Sequence, residues 1–261
     1  ISIANTPGLI GALLIGLTAA KTVSWILKKP LITVNHLQAH IYASKIENED
    51  IDYPAISLVV SGGHTSLFLT HSETNYEPIG GTIDDAAGEA FDKVGKILGL
   101  GYPAGPEIDA IAQKGNEKAI QFPRSYLKKG SLDFSFSGIK TAVLYHCMGQ
   151  NSKNTSEIPK LTDQEIADVA ASFQEAVVDV LVDKTIFAAN KFSSKSIIIG
   201  GGVACNSRLR QKLTDAAKRR NIPLFYPSKK LCMDNAAMVA GLAFHKYEEK
   251  EFSNLEVEAI P

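Results

Sequence analysis

Cysteine is scarce in this chain. Its 261 residues hold three, Cys147, Cys205 and Cys232, an odd number with no C-x-x-C spacing. That argues against a disulfide framework and a cysteine-rich zinc site, and it suits a reducing compartment with buried or half-buried thiols. An excess of charge is missing too. Lys and Arg number 27 against 28 Asp and Glu, a formal net charge of -1. The surface as a whole therefore does not attract a polyanion, and contact with nucleic acid must come from local patches or a partner. No long apolar run is present either: residues 9–20 are apolar but end at Lys21, too short to span a bilayer. No basic stretch precedes that run, so it is not a signal peptide. G-x-S-x-G, G-x-G-x-x-G and H-E-x-x-H are all absent, which removes a nucleophile elbow, a dinucleotide fingerprint and the common metalloprotease helix.

What remains is an ordinary globular composition, 45% hydrophobic and 21% charged, long enough for one large domain or two small ones. Residues 1–6 read as a strand broken by Pro7-Gly8, and 11–27 as a largely apolar, buried helix ended by Lys28, Lys29 and Pro30. A strand over 31–34 and a helix over 35–44 follow. Ala55–Val60 reads as a buried strand, Ser61-Gly62-Gly63 as a tight turn and 64–70 as the returning strand. The backbone N–H groups of that turn suit a phosphate.

Residues 81–109 are expected to form a helix opening at Asp84-Asp85, a loop carrying Gly99, Gly101, Pro103, Gly105 and Pro106, and a second helix bearing Asp109. Asp92, the Gly105 backbone and Asp109 would then surround one hollow. Carboxylates facing bare backbone suit a ribose; a helical hairpin with solvated acids is the plainer alternative. Residues 149–162 read as a flexible loop or hinge, and 163–192 as a long amphipathic helix or two. A strand over 196–199 enters Gly200-Gly201-Gly202, whose entropic cost points beyond packing. Asn206 then precedes a basic helix with Arg208, Arg210, Lys212, Lys218, Arg219 and Arg220. A strand over 222–226, a loop over 229–234, a helix over 235–247 and a frayed acidic tail over 248–261 complete the chain. Strands alternating with helices, with a glycine turn in each half, indicate α/β architecture with a nucleotide held between two lobes.

His36 and His40 stand at i and i+4, able to share a metal from one helix face. Leu37 occupies the position where a metalloprotease carries its catalytic Glu, and pairs at this spacing also arise incidentally. Asp234 precedes a helix and, taken alone, reads as its N-cap.

In fixed order, SGGHTSL, DDAAGEAFDKVGKILGLGYPAGPEID, FSFSGIKTAV, IIIGGGVACNSRLR and DNAAM resemble the catalytic-subunit family of the tRNA threonylcarbamoyladenosine synthases. The likeness is to its bacterial and organellar branch, once labelled O-sialoglycoprotein endopeptidase, and runs from Ile1 to about Tyr247. It implies an α/β, two-lobed, ribonuclease H-like fold of the actin, sugar-kinase and Hsp70 class, with the N-terminal part of the first lobe missing before Ile1. The expected division is 1–60 for the rest of the first lobe with the metal-binding helix, 61–195 for nucleotide-binding and linking segments, and 196–261 for the second-lobe glycine loop and final helix.

The resemblance implies that His36, His40 and Asp234 hold one divalent metal, iron ahead of zinc. It likewise implies substrate contacts at Val59, Val60, Ser61, Gly62, Gly63, Asp92, Gly105, Asp109 and Asn206. The activity it implies is transfer of threonylcarbamoyl from threonylcarbamoyl-adenylate to N6 of adenosine 37 in tRNAs reading ANN codons, with the metal as Lewis acid. The donor is already activated, so no protein nucleophile is needed. Implied partners are tRNA, a catalytically inactive paralogue subunit and a small P-loop ATPase, in the cytoplasm (or mitochondria, for an organellar member) and without a membrane. The basic residues after Asn206, together with Lys28, Lys29, Arg124, Lys128 and Lys129, are candidate tRNA contacts. With its first lobe incomplete, the chain alone is expected to be poorly active. The rival readings are an ATPase or small-molecule kinase of the same fold, which would hold Mg²⁺ through carboxylates and phosphates, the old endopeptidase, which lacks its Glu, and an inactive scaffold.

Overall fold

The computed structural model describes residues 1–149 and 161–261, so the hinge expected over 149–162 falls almost wholly outside the described residues. Strand β1 (Ser2–Thr6) leads through helix α1 (Ile10–Leu27) to β2 (Ile32–Asn35), and the two strands pair in parallel. Helix α2 (His36–Glu47) begins directly on β2. Then come β3 (Ala55–Val60), β4 (Thr65–Thr70) and β5 (Tyr76–Gly81), an antiparallel meander. Helices α3 (Ala87–Ile97), α4 (Gly105–Ala112), α5 (Ser137–Met148) and α6 (Asp163–Lys191) separate it from β6 (Ser196–Gly200). A short 3-10 turn (Gly202–Cys205), α7 (Ser207–Arg219), β7 (Leu224–Phe225), α8 (Lys229–Cys232) and α9 (Ala236–Glu248) follow.

The larger sheet has the order β5-β4-β3-β6-β7, with β3 parallel to β6 and β6 parallel to β7. Three antiparallel strands extended by two parallel ones give a ribonuclease H-like lobe. Its central strands β3 and β6 are buried throughout because both faces are covered. Ile56, Leu58 and Val60 pack with Phe91, Phe173 and Leu181, while Ala55, Val59 and Ile198 pack with Leu37 and Ile41 of α2. The β3–β4 hairpin crosses the expected 60/61 division, and β3 pairs with β6 across 195/196. The sheet thus draws strands from all three expected segments.

Helix α6 is one continuous element of 29 residues. It is started by a reciprocal capping box in which Thr162 and Glu165 satisfy each other's backbone N–H groups. Helix α3 starts later than Asp84-Asp85 would suggest. Asp84 instead accepts hydrogen bonds from Ser135 Oγ (2.6 Å), Phe136 N (2.9 Å), Ser137 N (3.3 Å) and Ser137 Oγ (2.7 Å). Asp85 pairs with Lys93 at 2.7 Å. Asp84 thus ties its loop to the start of α5, and Asp85 is tied back onto α3; neither caps α3.

Two further expectations fail for reasons of packing. Helix α1 was expected to be buried, yet only Leu13, Leu17, Ala20 and Ser24 are covered. Ile15, Trp25 and Ile26 are 76%, 71% and 64% exposed. A helix apolar on all sides is normally enclosed, but here only β1 and its neighbourhood meet it. By length and hydropathy it could cross a membrane, but its covered stripe packs it into the fold as a lobe helix. The acidic tail is not frayed. Ser253 N donates to Leu31 O (2.8 Å), Asn5 Nδ2 donates to Glu258 O (3.0 Å), and Ile260 N donates to Asn5 O (2.9 Å). The tail therefore lies against β1 and β2.

Candidate metal centre and adjoining cleft

Asn35 ends β2 and caps α2, its Oδ1 accepting from Leu37 N at 2.8 Å and Gln38 N at 3.2 Å. That fixes the first turn and brings His36 and His40 together, with ring centroids 4.6 Å apart. On the far side, Asn235 caps α9 by accepting from Met238 N at 2.9 Å. The capping role that Asp234 could have filled thus belongs to its neighbour, and the Asp234 carboxylate is left to face the imidazoles. Its Oδ1 lies 3.2 Å from His36 Nε2 and 3.1 Å from His40 Nε2.

The three ligand-type atoms lie within 4.8 Å of one another. Hydrogen bonds from His36 and His40 hold the Asp234 carboxyl well below the usual carboxylate range. His40 is buried and its Nδ1 meets no protein partner. Two imidazole nitrogens and one carboxylate oxygen fit a divalent transition metal with coordination positions left for substrate or water.

A third imidazole went unnoticed in the sequence. Burial, and then the nearness of His36 and His40, push His64 below the ordinary histidine value. Its place in the SGGH turn was the available signal.

The glycine run after β6 has a packing role that the sequence concealed. A Cβ on Gly200 would lie 2.3 Å from His40 O, and one on Gly201 would lie 2.4 Å from Val60 O. Gly201 also has φ +90°, a conformation that suits glycine. These two residues let α2 and the end of β3 close on β6.

In the hairpin, Val59 and Val60 are fully buried, backbone included, so neither faces the open cleft. Ser61 N donates to His64 O at 2.8 Å, and Ser61 Oγ accepts from His64 N at 3.1 Å. One of the three N–H groups expected for a phosphate is therefore committed to the turn, and Gly62 and Gly63 carry what remains of the cradle. A cleft of about 500 Å³ opens beside Gly62, lined also by Asp92, Lys93, Lys96, Leu100 and Tyr102.

Asp92 Oδ1 accepts from Ala104 N at 2.8 Å, which sets the turn into α4. A Cβ on Gly105 would meet nothing within 4 Å, so the backbone there is open. Asp109 faces the start of α7, accepting from Ser207 Oγ (2.7 Å) and Ser207 N (3.1 Å). Asn206 is buried; its amide donates to Gln174 Oε1 at 2.7 Å and accepts from Leu209 N at 2.9 Å. The structure brings Gly62 and Asp92 to one cleft and Asp109 to Asn206–Ser207, while Gly105 lies between them on α4.

The basic helix is largely neutralised within the fold. Arg208 makes a two-point contact with Glu175 (2.7 and 3.1 Å), and Lys212 bonds Glu175 (2.5 Å) and Asp179. Arg210 donates to Ala204 O (2.6 Å) and Pro227 O (3.0 Å) and lies over Tyr226, while Arg124 pairs with Asp179. Two of the expected tRNA contacts, Arg208 and Lys212, therefore pack α7 on α6, while Arg210 ties α7 to the loops at Ala204 and Pro227 and Arg124 ties its loop to α6. Lys218, Arg219 and Arg220, at the end of α7, are the part of the stretch not drawn into this network.

A ribonuclease H-like sheet, a second strand pair, a glycine hairpin and a His/His/Asp cluster between them define an α/β protein of the actin, sugar-kinase and Hsp70 class. Solved structures agree on the fold: T. kodakarensis HypF superposes with TM-score 0.65 at 16% identity, covering 89% of this chain and 39% of that one. A full-length HypF in phosphate- and nucleotide-bound form gives 0.66 at 15%, covering 89% and 46%. Within that class, residues 1–241 match the family described as tRNA N6-adenosine threonylcarbamoyltransferase. Proteins of that name from Moorella thermoacetica and Thermotoga neapolitana are each 48% identical, over 100% and 98% of this chain and 74% and 75% of their own lengths. The chain belongs to this family.

Proposed function

We propose that the protein transfers a threonylcarbamoyl group from threonylcarbamoyl-adenylate to N6 of adenosine 37 in tRNAs that read ANN codons. The observation that carries this reading is the His36, His40 and Asp234 cluster, assembled from distant parts of the chain beside a glycine turn and a cleft. Family membership supports the transferase class and tRNA modification; the donor, the codon class and the partners belong to the proposal. A divalent metal bound there, iron ahead of zinc, supplies Lewis acidity toward oxygen atoms of the donor.

The protein's own residues do the rest. Gly62 and Gly63 offer N–H groups and close approach to the phosphate of the adenylate. Asp92 and the open Gly105 backbone border the adenosine, and Asp109 and Asn206 fix the opposite wall through Ser207 and α7. AMP is a competent leaving group, so acyl transfer to the amine needs orientation and charge compensation rather than a protein nucleophile. His64, half-buried beside the two imidazoles, helps exclude water from the reacting centre. tRNA docks through Lys218, Arg219 and Arg220 and through a partner, since net charge gives no steering. The partners are an inactive paralogue and a small P-loop ATPase, in the cytoplasm.

The test is nucleoside analysis of unmodified tRNA incubated with the protein, threonylcarbamoyl-adenylate, ATP and those partner subunits. Appearance of threonylcarbamoyladenosine that depends on the protein is the expected result. ATP hydrolysis by the protein alone, with no modified nucleoside in the full mixture, would favour the ATPase reading instead.

A further inference from the structure

Asp234 reaches the two imidazoles because α9 lies against α2, and the core of that interface is apolar. Ala39 and Ala43 of α2 pack with Met238, Leu242 and Ala243 of α9. Such contacts are non-directional, so they hold the helices together without fixing how far one has turned on the other. Two features supply what they lack. Tyr42 Oη lies 3.0 Å from His245 Nε2, the one side-chain hydrogen bond between the two helices among the described residues. The two rings meet edge-on, with centroids 5.4 Å apart. Four residues before His245, Gly241 lies against the same tyrosine: a Cβ there would stand 2.4 Å from Tyr42 Cε1. The α9 backbone thus crosses α2 on the Tyr42 ring, two residues along from His40. Neither Tyr42 nor His245 belongs to the cluster of ligand-type atoms.

We propose that Tyr42 and His245 are positioning residues, whose hydrogen bond sets the angle of α9 and so the distance of Asp234 from His36 and His40. The proposal rests on the ligand assignment made above. The arrangement is a lever, with Gly241 on Tyr42 as its fulcrum. His245 stands four residues beyond the fulcrum, about 6 Å along the helix, and Asp234 seven residues before it, about 10 Å. A turn about Gly241 therefore moves the Asp234 end further than it moves His245. Metal ligands tolerate displacements of only about 0.2 Å, so a small loosening at the short arm is felt at the carboxylate. Either neutral tautomer of His245 completes the latch, because the tyrosine hydroxyl can donate or accept.

Tyr42→Phe keeps the ring under Gly241 and removes only the hydroxyl. Zinc titration of Tyr42→Phe and of His245→Leu should each show about tenfold weaker binding than the parent. The double variant should bind no more weakly than either single one, because both side chains act through one bond. His245→Gln, whose amide can still meet the hydroxyl, should recover most of the affinity. Unchanged zinc affinity in Tyr42→Phe would overturn the proposal, as would additive losses in the double variant or a His245→Gln as weak as His245→Leu. Amide hydrogen exchange of the metal-free protein gives a second reading. Residues 235–240 should exchange faster in Tyr42→Phe, while β3 and β6 keep the protection of the parent. Equal exchange over 235–240 would overturn the proposal, and so would faster exchange throughout the sheet, which would make the bond a general support. If the parent itself bound no zinc, the ligand assignment and the function proposed above would fall, whereas exchange over 235–240 would still decide whether the latch seats α9.

Discussion

Gly200→Ala probes how the sheet holds the metal helix in place. Gly200 is the last residue of β6 and has an ordinary backbone conformation, so the methyl group itself is the whole perturbation. Its Cβ would stand 2.3 Å from the His40 carbonyl oxygen, where ordinary contact begins near 3.4 Å. Relief requires α2 to move by about 1 Å at His40, since β6 is clamped between β3 and β7. Overpacking of this kind costs about 1–3 kcal/mol, partly offset by the roughly 0.5–1 kcal/mol by which alanine outperforms glycine in a strand. A net loss of about 1–2 kcal/mol is expected.

The larger effect falls on the metal. A shift of that size exceeds what ligand geometry tolerates, so affinity should drop by about tenfold or more. Denaturant unfolding of metal-free protein and titration with a divalent metal measure the two effects separately. Gly62→Ala, whose Cβ would meet nothing within 4 Å, is the control for both. If Gly200→Ala unfolds at the same midpoint and binds metal as tightly as the parent, the argument that Gly200 sets the seat of α2 is wrong.

Other perturbations address other contacts. His40→Ala should lower metal content and activity together, checked by elemental analysis of the purified variant; full metal content would rule His40 out as a ligand. Asp92→Ala removes the bond to Ala104 N and should cost about 1 kcal/mol, while calorimetry should show a much larger loss of adenine-nucleotide binding. Asp84→Asn tests a pH dependence. Burial alone would raise its carboxyl, but hydrogen bonds from Ser135, Phe136 and Ser137 outweigh it and lower the value. Its contribution is thus present above the unfolded value, near 3.9, and is lost as pH falls through the lower folded value. The parent and Asp84→Asn should therefore differ in thermal midpoint at neutral pH and converge in acid. Reversing Lys218, Arg219 and Arg220 together should flatten the salt dependence of tRNA binding. Reversing Arg208 and Lys212 should instead destabilise the fold, because Glu175 and Asp179 lose their partners.

Much of this architecture was legible because its signals are local. The Ala55–Val60 run, the Ser61-Gly62-Gly63 turn and the His36/His40 pair depend on period and spacing alone, and each sits where that spacing puts it. Strand β5 was not foreseen: YEPIGG carries a proline and two glycines and is only partly covered, as an edge strand allows. The exposure of α1 was illegible for another reason. Periodicity reports how many faces are apolar, not how many neighbours arrive to cover them. Asp84 misled for a further reason, because an acid beside a helix start looks like a cap whether or not the backbone uses it. The basic stretch after Asn206 showed its cations, while Glu175 and Asp179 lie on another helix. Only the fold pairs them.

The split origin of the proposed metal ligands also bears on how the protein is made. His36 and His40 leave the ribosome well before Asp234, on a helix already capped by Asn35. An emerging polypeptide can offer a metal two imidazoles and no carboxylate, a weak and unselective site. Closing it requires α9 to reach back to β2 and α2, against the entropy of a long loop. Metal captured by all three residues then stabilises the closed arrangement by mass action. Loading is thereby deferred until Asp234 has been made, and a nascent chain stalled before Asp234 would leave the cell's metal pool largely untouched.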